Sequence, residues 1–232
     1  SAFLFEGFLC VLFFMPIYYL GVTLGYFFGT FCEKDEPDDR NRLRASIVPV
    51  LIAAMAVEGT ASSTSFEREN EVTRSFVINA DIPTLQANMA LPIALPRQRQ
   101  WFLSIFPLPV DVQAGSLEPG DVHTLDFVYK RWFFTNIQAG EFHLRIDAVS
   151  PGEVKTSVVR NTSYLSKYLK IHGTTIRFQE LPGGATKVDL TIRYRRMLDP
   201  AWYFAPMQRY AVEQSGDYFF DAVFARGLEY EK

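Results

Sequence analysis

Residues 174–196 read TTIRFQELPGGATKVDLTIRYRR, two alternating segments joined by a turn. Ile176 and Phe178 share one side of the first segment, Thr174–Leu181; Val188, Leu190, Ile192 and Tyr194 share one side of the second, Lys187–Arg195. Alternation with a period of two marks a strand with one apolar and one wet face, and LPGG between the segments supplies turn chemistry. The stretch therefore predicts an antiparallel hairpin. The same pattern recurs upstream at Glu71–Ile78, Val110–Ala114, Val122–Tyr129, Glu141–Val149 and Glu153–Arg160, with LEPGD and SPGE as further turns.

Two regions break the period. The section IPTLQANMALPIALPRQRQWFLSIF suits one or two short helices interrupted by Pro92 and Pro96. After the last strand, Asp199 is expected to cap a helix with Pro200 at its first position, and a long helix is expected from about Met207 to Leu228. The predicted order is strand, short helices, six strands, long helix. This is an α+β domain: a curved antiparallel sheet whose apolar face is covered by the C-terminal helix.

The N-terminal part is different. Residues 2–31 contain one charged residue, Glu6, and exceed the ~20 residues that span a bilayer, so a membrane helix is expected there, with Pro16 as a tolerated kink. A second apolar segment, about 45–64, is weaker because it holds Pro49 and Glu58; it reads as a second span, a re-entrant segment or a surface helix. The expected division is a membrane region, 1–64, and a second domain, 65–232. The loop EKDEPDDRNRLR between the apolar segments carries Lys34, Arg40, Arg42 and Arg44, and short basic loops stay cytoplasmic. In a bacterial-type inner membrane, two spans then place the second domain in the periplasm and one span places it in the cytoplasm. The chain begins at Ser1 rather than Met, so the number of preceding spans is open. Gly21, Gly25 and Gly29 recur every four residues and form a smooth helix face, to which a second span or another membrane subunit could pack closely.

Composition excludes several functions. Residues 65–232 hold 19 of the 23 Lys/Arg and 19 of the 26 Asp/Glu, a balance that excludes a nucleic-acid binder held by phosphate attraction. The two cysteines, Cys10 and Cys32, cannot build a disulfide scaffold or a Cys-rich zinc site. Nucleotide-loop, HExxH and GxSxG patterns are absent, and no cofactor or metal is expected. Of three histidines only His123 has inward parity, His143 reads outward, and His172 reads as a turn residue. One inward histidine without a carboxylate on the same face is a satisfied core group more often than a general base, so no catalytic residue is assigned. Arg193, Arg195 and Arg196 read as a basic patch on a wet face.

The element order, with EGTASSTSFERENEVTRSFVI at the domain entrance and GATKVDLTIRYRRMLDPAWYF followed by PMQRYAV at the last strand and helix, resembles the START-like, or SRPBCC, superfamily. It looks like a bacterial subgroup in which a membrane region precedes the helix-grip domain. The resemblance implies a hydrophobic cavity between sheet and last helix that holds a lipid or other hydrophobic small molecule. On the sheet, inward parity offers His123, Phe127, Tyr129, Phe178, Leu190, Ile192 and Tyr194 as its lining. On the helix, Tyr210, Gln214 and Tyr218 are spaced to share one face. The same positions would equally fill a solid core. Three functions follow as expectations: a membrane-anchored ligand carrier, an accessory subunit of a larger membrane complex, or a polyketide cyclase- or dehydratase-like enzyme. Membrane lipids, other subunits and a hydrophobic small molecule are the expected partners.

Overall fold

The computed structural model describes residues 15–16, 18–27, 57–58, 60–61, 64, 66–93, 95, 100–107, 109–113, 115–130, 137–226, 228 and 230–231. The chain divides into two compact units, Ser1–Phe66 and Glu67–Lys232. In the first, residues 18–27 are helical and include Gly21 and Gly25. Most of the expected spans, together with Gly29, lies outside the described residues. Among the described residues no helix is long and apolar enough to cross a membrane.

The second unit starts with strand β1 (Glu69–Ile78), followed by helix α1 (Ile82–Ala90) and a 3-10 turn at Leu103–Ile105. Strands β2 (Pro109–Gln113), β3 (Val122–Lys130), β4 (Ile137–Ser150) and β5 (Glu153–Asn161) come next, then a second 3-10 turn at Tyr164–Lys167. Strands β6 (Leu169–Glu180) and β7 (Thr186–Arg196) lead into helix α2 (Ala201–Phe220), a π turn (Asp221–Ala225) and the short strand β8 (Tyr230–Glu231). The eight strands form one antiparallel sheet in the order β2-β3-β4-β5-β6-β7-β1-β8. With the long C-terminal helix, this curved sheet is consistent with a helix-grip domain.

Local chemistry explains the boundaries. Asp81 caps α1, its carboxylate accepting the Thr84 backbone N–H at 3.1 Å. The β6–β7 turn places Gly183 and Gly184 at φ 92° and 82°, backbone angles that favour glycine. Ladder irregularities fall between Pro109 and Asp111, His143 and Leu144, Ile146 and Ala148, and Ile171 and Gly173. At the last of these a Cβ on Gly173 would lie 2.1 Å from the Thr156 carbonyl oxygen, so only glycine lets β5 and β6 approach there.

Apolar burial joins helix to sheet. Phe76 of β1 stacks on Phe220 of α2 with centroids 3.7 Å apart, and Phe224 bridges from Phe220 to Phe178 of β6. At Gly216 the helix rests on β1 and β7: a Cβ there would sit 3.4 Å from Arg74 Cγ and 3.5 Å from Ile192 Cδ1, ordinary van der Waals distances. Arg74 occupies an inward position of β1 and makes a bidentate ion pair with the buried Asp217 of α2, at 2.8 and 3.1 Å. The carboxylate hydrogen bond raises the guanidinium pKa further above its ordinary value, against the opposing effect of burial.

Several expectations are corrected. Asp199 does not cap α2, because Pro200 occupies that position, and the Asp199 carboxylate instead accepts from Arg68 and Arg196 at 2.5 and 2.6 Å. The helix begins six residues earlier than expected and changes to a π turn at Asp221. Arg196 is not on the wet face: it continues the inward series of β7, is 1% exposed, and pairs with Asp199 and the Leu198 carbonyl. His172 lies within β6 rather than in a loop, because the strand continues past its irregularity to Leu169. Its Nε2 is 3.0 Å from a Glu69 carboxylate oxygen, close enough for an ion pair when protonated but not aligned as a hydrogen bond. The eighth strand was not expected.

Candidate functional site

Along α2, residues at intervals of three, four, seven and eleven return to one side of the helix. Gln208, Ser215 and Phe219 fall within about 40° of one another by this rule. Phe219 and Leu95, both only partly buried, pack against the cluster of Val112, Leu125, Phe127 and Phe142 on β2–β4. Partly buried Leu144, Val158 and Ile171 flank the same cluster. Leu144 of β4 pairs with Val158 of β5, and Ile171 of β6 pairs with Tyr194 of β7.

This arrangement contrasts with the rest of the inner face. Further along the same strands, Ile146 is 1% exposed, Val154 0% and Ile176 5%. Large aliphatic side chains on the inner face of the central strands, opposite a helix, bury fully when sheet and helix meet in close packing. Leu144, Val158, Ile171 and Phe219 do not, so the interior is looser between β4–β6 and the C-terminal end of α2. The segment before β2 supplies a further wall through Ile93 and Leu95.

Polar groups punctuate this interior. Thr156 and Thr174 share a hydroxyl–hydroxyl hydrogen bond at 2.8 Å across β5 and β6. Gln208 is buried, and its Nε2 donates to the Tyr168 carbonyl at 3.0 Å. Its Oε1 is buried with no hydrogen-bond partner among the described residues. Burial raises the pKa of the Tyr194 phenol, an effect that Arg209 partly opposes.

Phe178, Leu190, Ile192 and Tyr194 are brought together in the larger apolar cluster, with Val72, Phe76 and Phe220. Phe127 belongs to the β2–β4 cluster, and Tyr218 packs against Leu103. Tyr129 lies in β3 as expected; its side chain lies outside the described residues. His123 is buried on the inner face, but its Nε2 lies 3.0 Å from the Ser116 carbonyl, so it ties the β2–β3 loop to the sheet. Tyr210 is 45% exposed, with its ring edge-on to Phe102 at 5.0 Å. Tyr210, Gln214 and Tyr218 share a helix face, and Tyr210 and Tyr218 meet the 102–103 region.

The sequence reading missed Val158, Ile171, Phe219 and Gln208. Parity gave no access to Ile171, because the strand irregularity beside it shifts the alternation by one. Phe219 was recoverable from helical spacing, once the sheet-facing stripe of α2 is set by Gln208 rather than Tyr210. Among the described residues no group of three His, Cys, Asp or Glu could hold a metal ion.

The class defined by this architecture is an α+β helix-grip domain with an apolar interior under its last helix. The solved structures it resembles are START- and SRPBCC-like proteins. A START superfamily protein from Mycobacterium smegmatis shares 12% identity at a TM-score of 0.44, with 67% of this chain and 95% of that one covered. Norcoclaurine synthase from Thalictrum flavum shares 10% at 0.39, covering 65% of this chain and 83% of its own. Major latex-like protein 151 from Panax ginseng shares 12% at 0.34, covering 65% and 97%. No family model matches the chain, and no curated protein matches it in sequence.

Proposed function

We propose that the second unit binds a hydrophobic small molecule between β4–β6 and α2, and that the first unit holds the chain at a membrane. The observation that carries ligand binding is the incomplete burial of Leu144, Val158, Ile171 and Phe219, on an inner face where Ile146, Val154 and Ile176 are fully buried. An apolar guest completes their burial, at ~25 cal/mol for each Å² removed from water. Membrane attachment rests on the apolar run 2–31 and its single charge.

Native mass spectrometry of the full chain, purified in mild detergent, tests the binding reading. The expected result is a bound apolar species released on unfolding, with occupancy lowered by Val158→Trp, which fills the space. A folded chain that neither retains nor takes up any apolar molecule overturns the reading. Attachment is tested by carbonate washing, where the full chain should stay with the membrane pellet; recovery in the supernatant refutes it. The accessory-subunit role rests on the glycine face, so Gly25→Leu should strip co-purifying membrane proteins without altering the circular dichroism of the chain. An unchanged set of partners removes that role.

A further inference from the structure

Gln208 presents an acceptor that the fold leaves unused. The amide orientation is fixed, because Nε2 must face the Tyr168 carbonyl to which it donates at 3.0 Å, and Oε1 is thereby turned the other way. That oxygen is buried without a partner among the described residues, on a side chain only 6% exposed. Gln208 lies on the sheet-facing stripe of α2 with Ser215 and Phe219, and at 1.5 Å per residue its Cα is about 16 Å along the helix from that of Phe219. Tyr168, its anchor, directly precedes β6, whose third residue is the half-buried Ile171. A buried acceptor without a partner among the described residues therefore lies beside the start of β6, the strand that carries Ile171.

We propose that the ligand has an apolar body ending in a neutral hydrogen-bond donor, a hydroxyl or amide N–H, which binds Gln208 Oε1. The inference rests on the ligand-binding reading and adds the chemistry of the head group. In the unliganded interior a water molecule can satisfy the oxygen. A guest that displaces this water without offering a donor leaves Oε1 bare, and an unpaired buried acceptor costs more than one hydrogen bond contributes. A donor-bearing guest avoids that loss. Hydrocarbons and ethers of the same shape are therefore discriminated against, while the body of the ligand is read only by its fit.

The test uses decan-1-ol, decanamide and 1-methoxydecane as probes. They are added at equal concentration to full-length protein stripped of endogenous lipid, and bound fractions are read by native mass spectrometry. The alcohol, the amide or both should exceed the methyl ether by about tenfold, and a preference confined to one donor identifies the head group. Gln208→Met, checked for native circular dichroism, should bring the ratio close to one while ether binding is retained. Equal binding of all three probes by the wild-type chain overturns the inference but leaves ligand binding standing, and this comparison needs no variant. A ratio that persists in Gln208→Met also overturns it. If the folded chain binds no probe, the ligand-binding reading fails and the inference falls with it.

Discussion

The ion pair between Arg74 and Asp217 lets the attachment of α2 to the sheet be measured. Asp217 is only 8% exposed at its side chain and Arg74 is 31% exposed, so the two partners respond unequally to deletion. Arg74→Met removes the guanidinium from a buried carboxylate. Removing one partner of a buried pair costs about 3–5 kcal/mol, and the partial exposure of Arg74 moves the expected loss to the lower end, about 3 kcal/mol. Asp217→Asn keeps one acceptor oxygen and leaves a guanidinium that reaches water, for an expected loss of about 1.5 kcal/mol. Arg74→Met/Asp217→Leu removes both charges and should lie within about 1 kcal/mol of wild type. Urea unfolding followed by tryptophan fluorescence suits the measurement, since Trp101, Trp132 and Trp202 all lie in the second unit. The midpoint should fall at constant slope. Because the folded pKa of Arg74 is raised above an already strongly basic ordinary value, the guanidinium's contribution is complete below that ordinary value and is lost only above it, so its charge adds no pH dependence between pH 6 and 9. A larger loss for Asp217→Asn than for Arg74→Met, or additive losses in the double variant, would refute the clamp.

Three further predictions follow from packing and capping. Gly173→Ala should destabilise by about 3 kcal/mol, because its Cβ meets the Thr156 carbonyl at 2.1 Å, whereas Gly152→Ala, whose nearest neighbour is 3.9 Å away, should cost less than about 1 kcal/mol; urea midpoints compare them. Leu190→Trp should overfill the inner face and cost about 1–3 kcal/mol, while Thr191→Trp, on the outer face, should cost less than half as much in the same assay; equal effects would contradict the register of β7. The Asp81 carboxyl lies below its ordinary pKa through hydrogen bonds from Thr84, so its contribution to α1 is present above that value and fades as pH falls through the lower folded value. In an NMR titration Thr84→Ala should move the Asp81 midpoint upward, and an unmoved midpoint would show that Thr84 is not the cause.

The sheet was legible because its turns are written in Pro and Gly and its strands keep strict alternation. LPGG, SPGE and LEPGD marked three connections, and the parity of Val188, Leu190, Ile192 and Tyr194 gave the buried face of β7 correctly. The same parity leads to Arg196, but three arginines in four positions suggested a solvated patch, and only the structure shows Asp199 folding back to meet the inward member. Elements that depend on distant partners were not legible. Strand β8 has two residues and exists through pairing with Val77 and Ile78 and through the rings of Phe76 and Phe220 against Tyr230. The site was half legible. Alternation separates inward from outward, but it cannot say which inward residue meets a neighbour and which meets space.

The irregularities of the sheet divide it into a quiet part and a restless one. The ladder between β1 and β7 runs unbroken for ten residue pairs, from Glu69 opposite Arg195 to Ile78 opposite Thr186. The breaks beside Leu144 and Ile171 fall next to the half-buried residues of the interior. Backbone amides at such interruptions exchange with solvent through small local openings, whereas those of a continuous ladder whose inner face is packed under a helix wait for the whole domain to unfold. Hydrogen exchange should accordingly separate a slow β1–β7 spine, bolted to α2, from faster amides around residues 143–148 and 171–173. On the proposed ligand-binding reading, a guest would enter by the loosening of one wall while the spine and its helix stay closed.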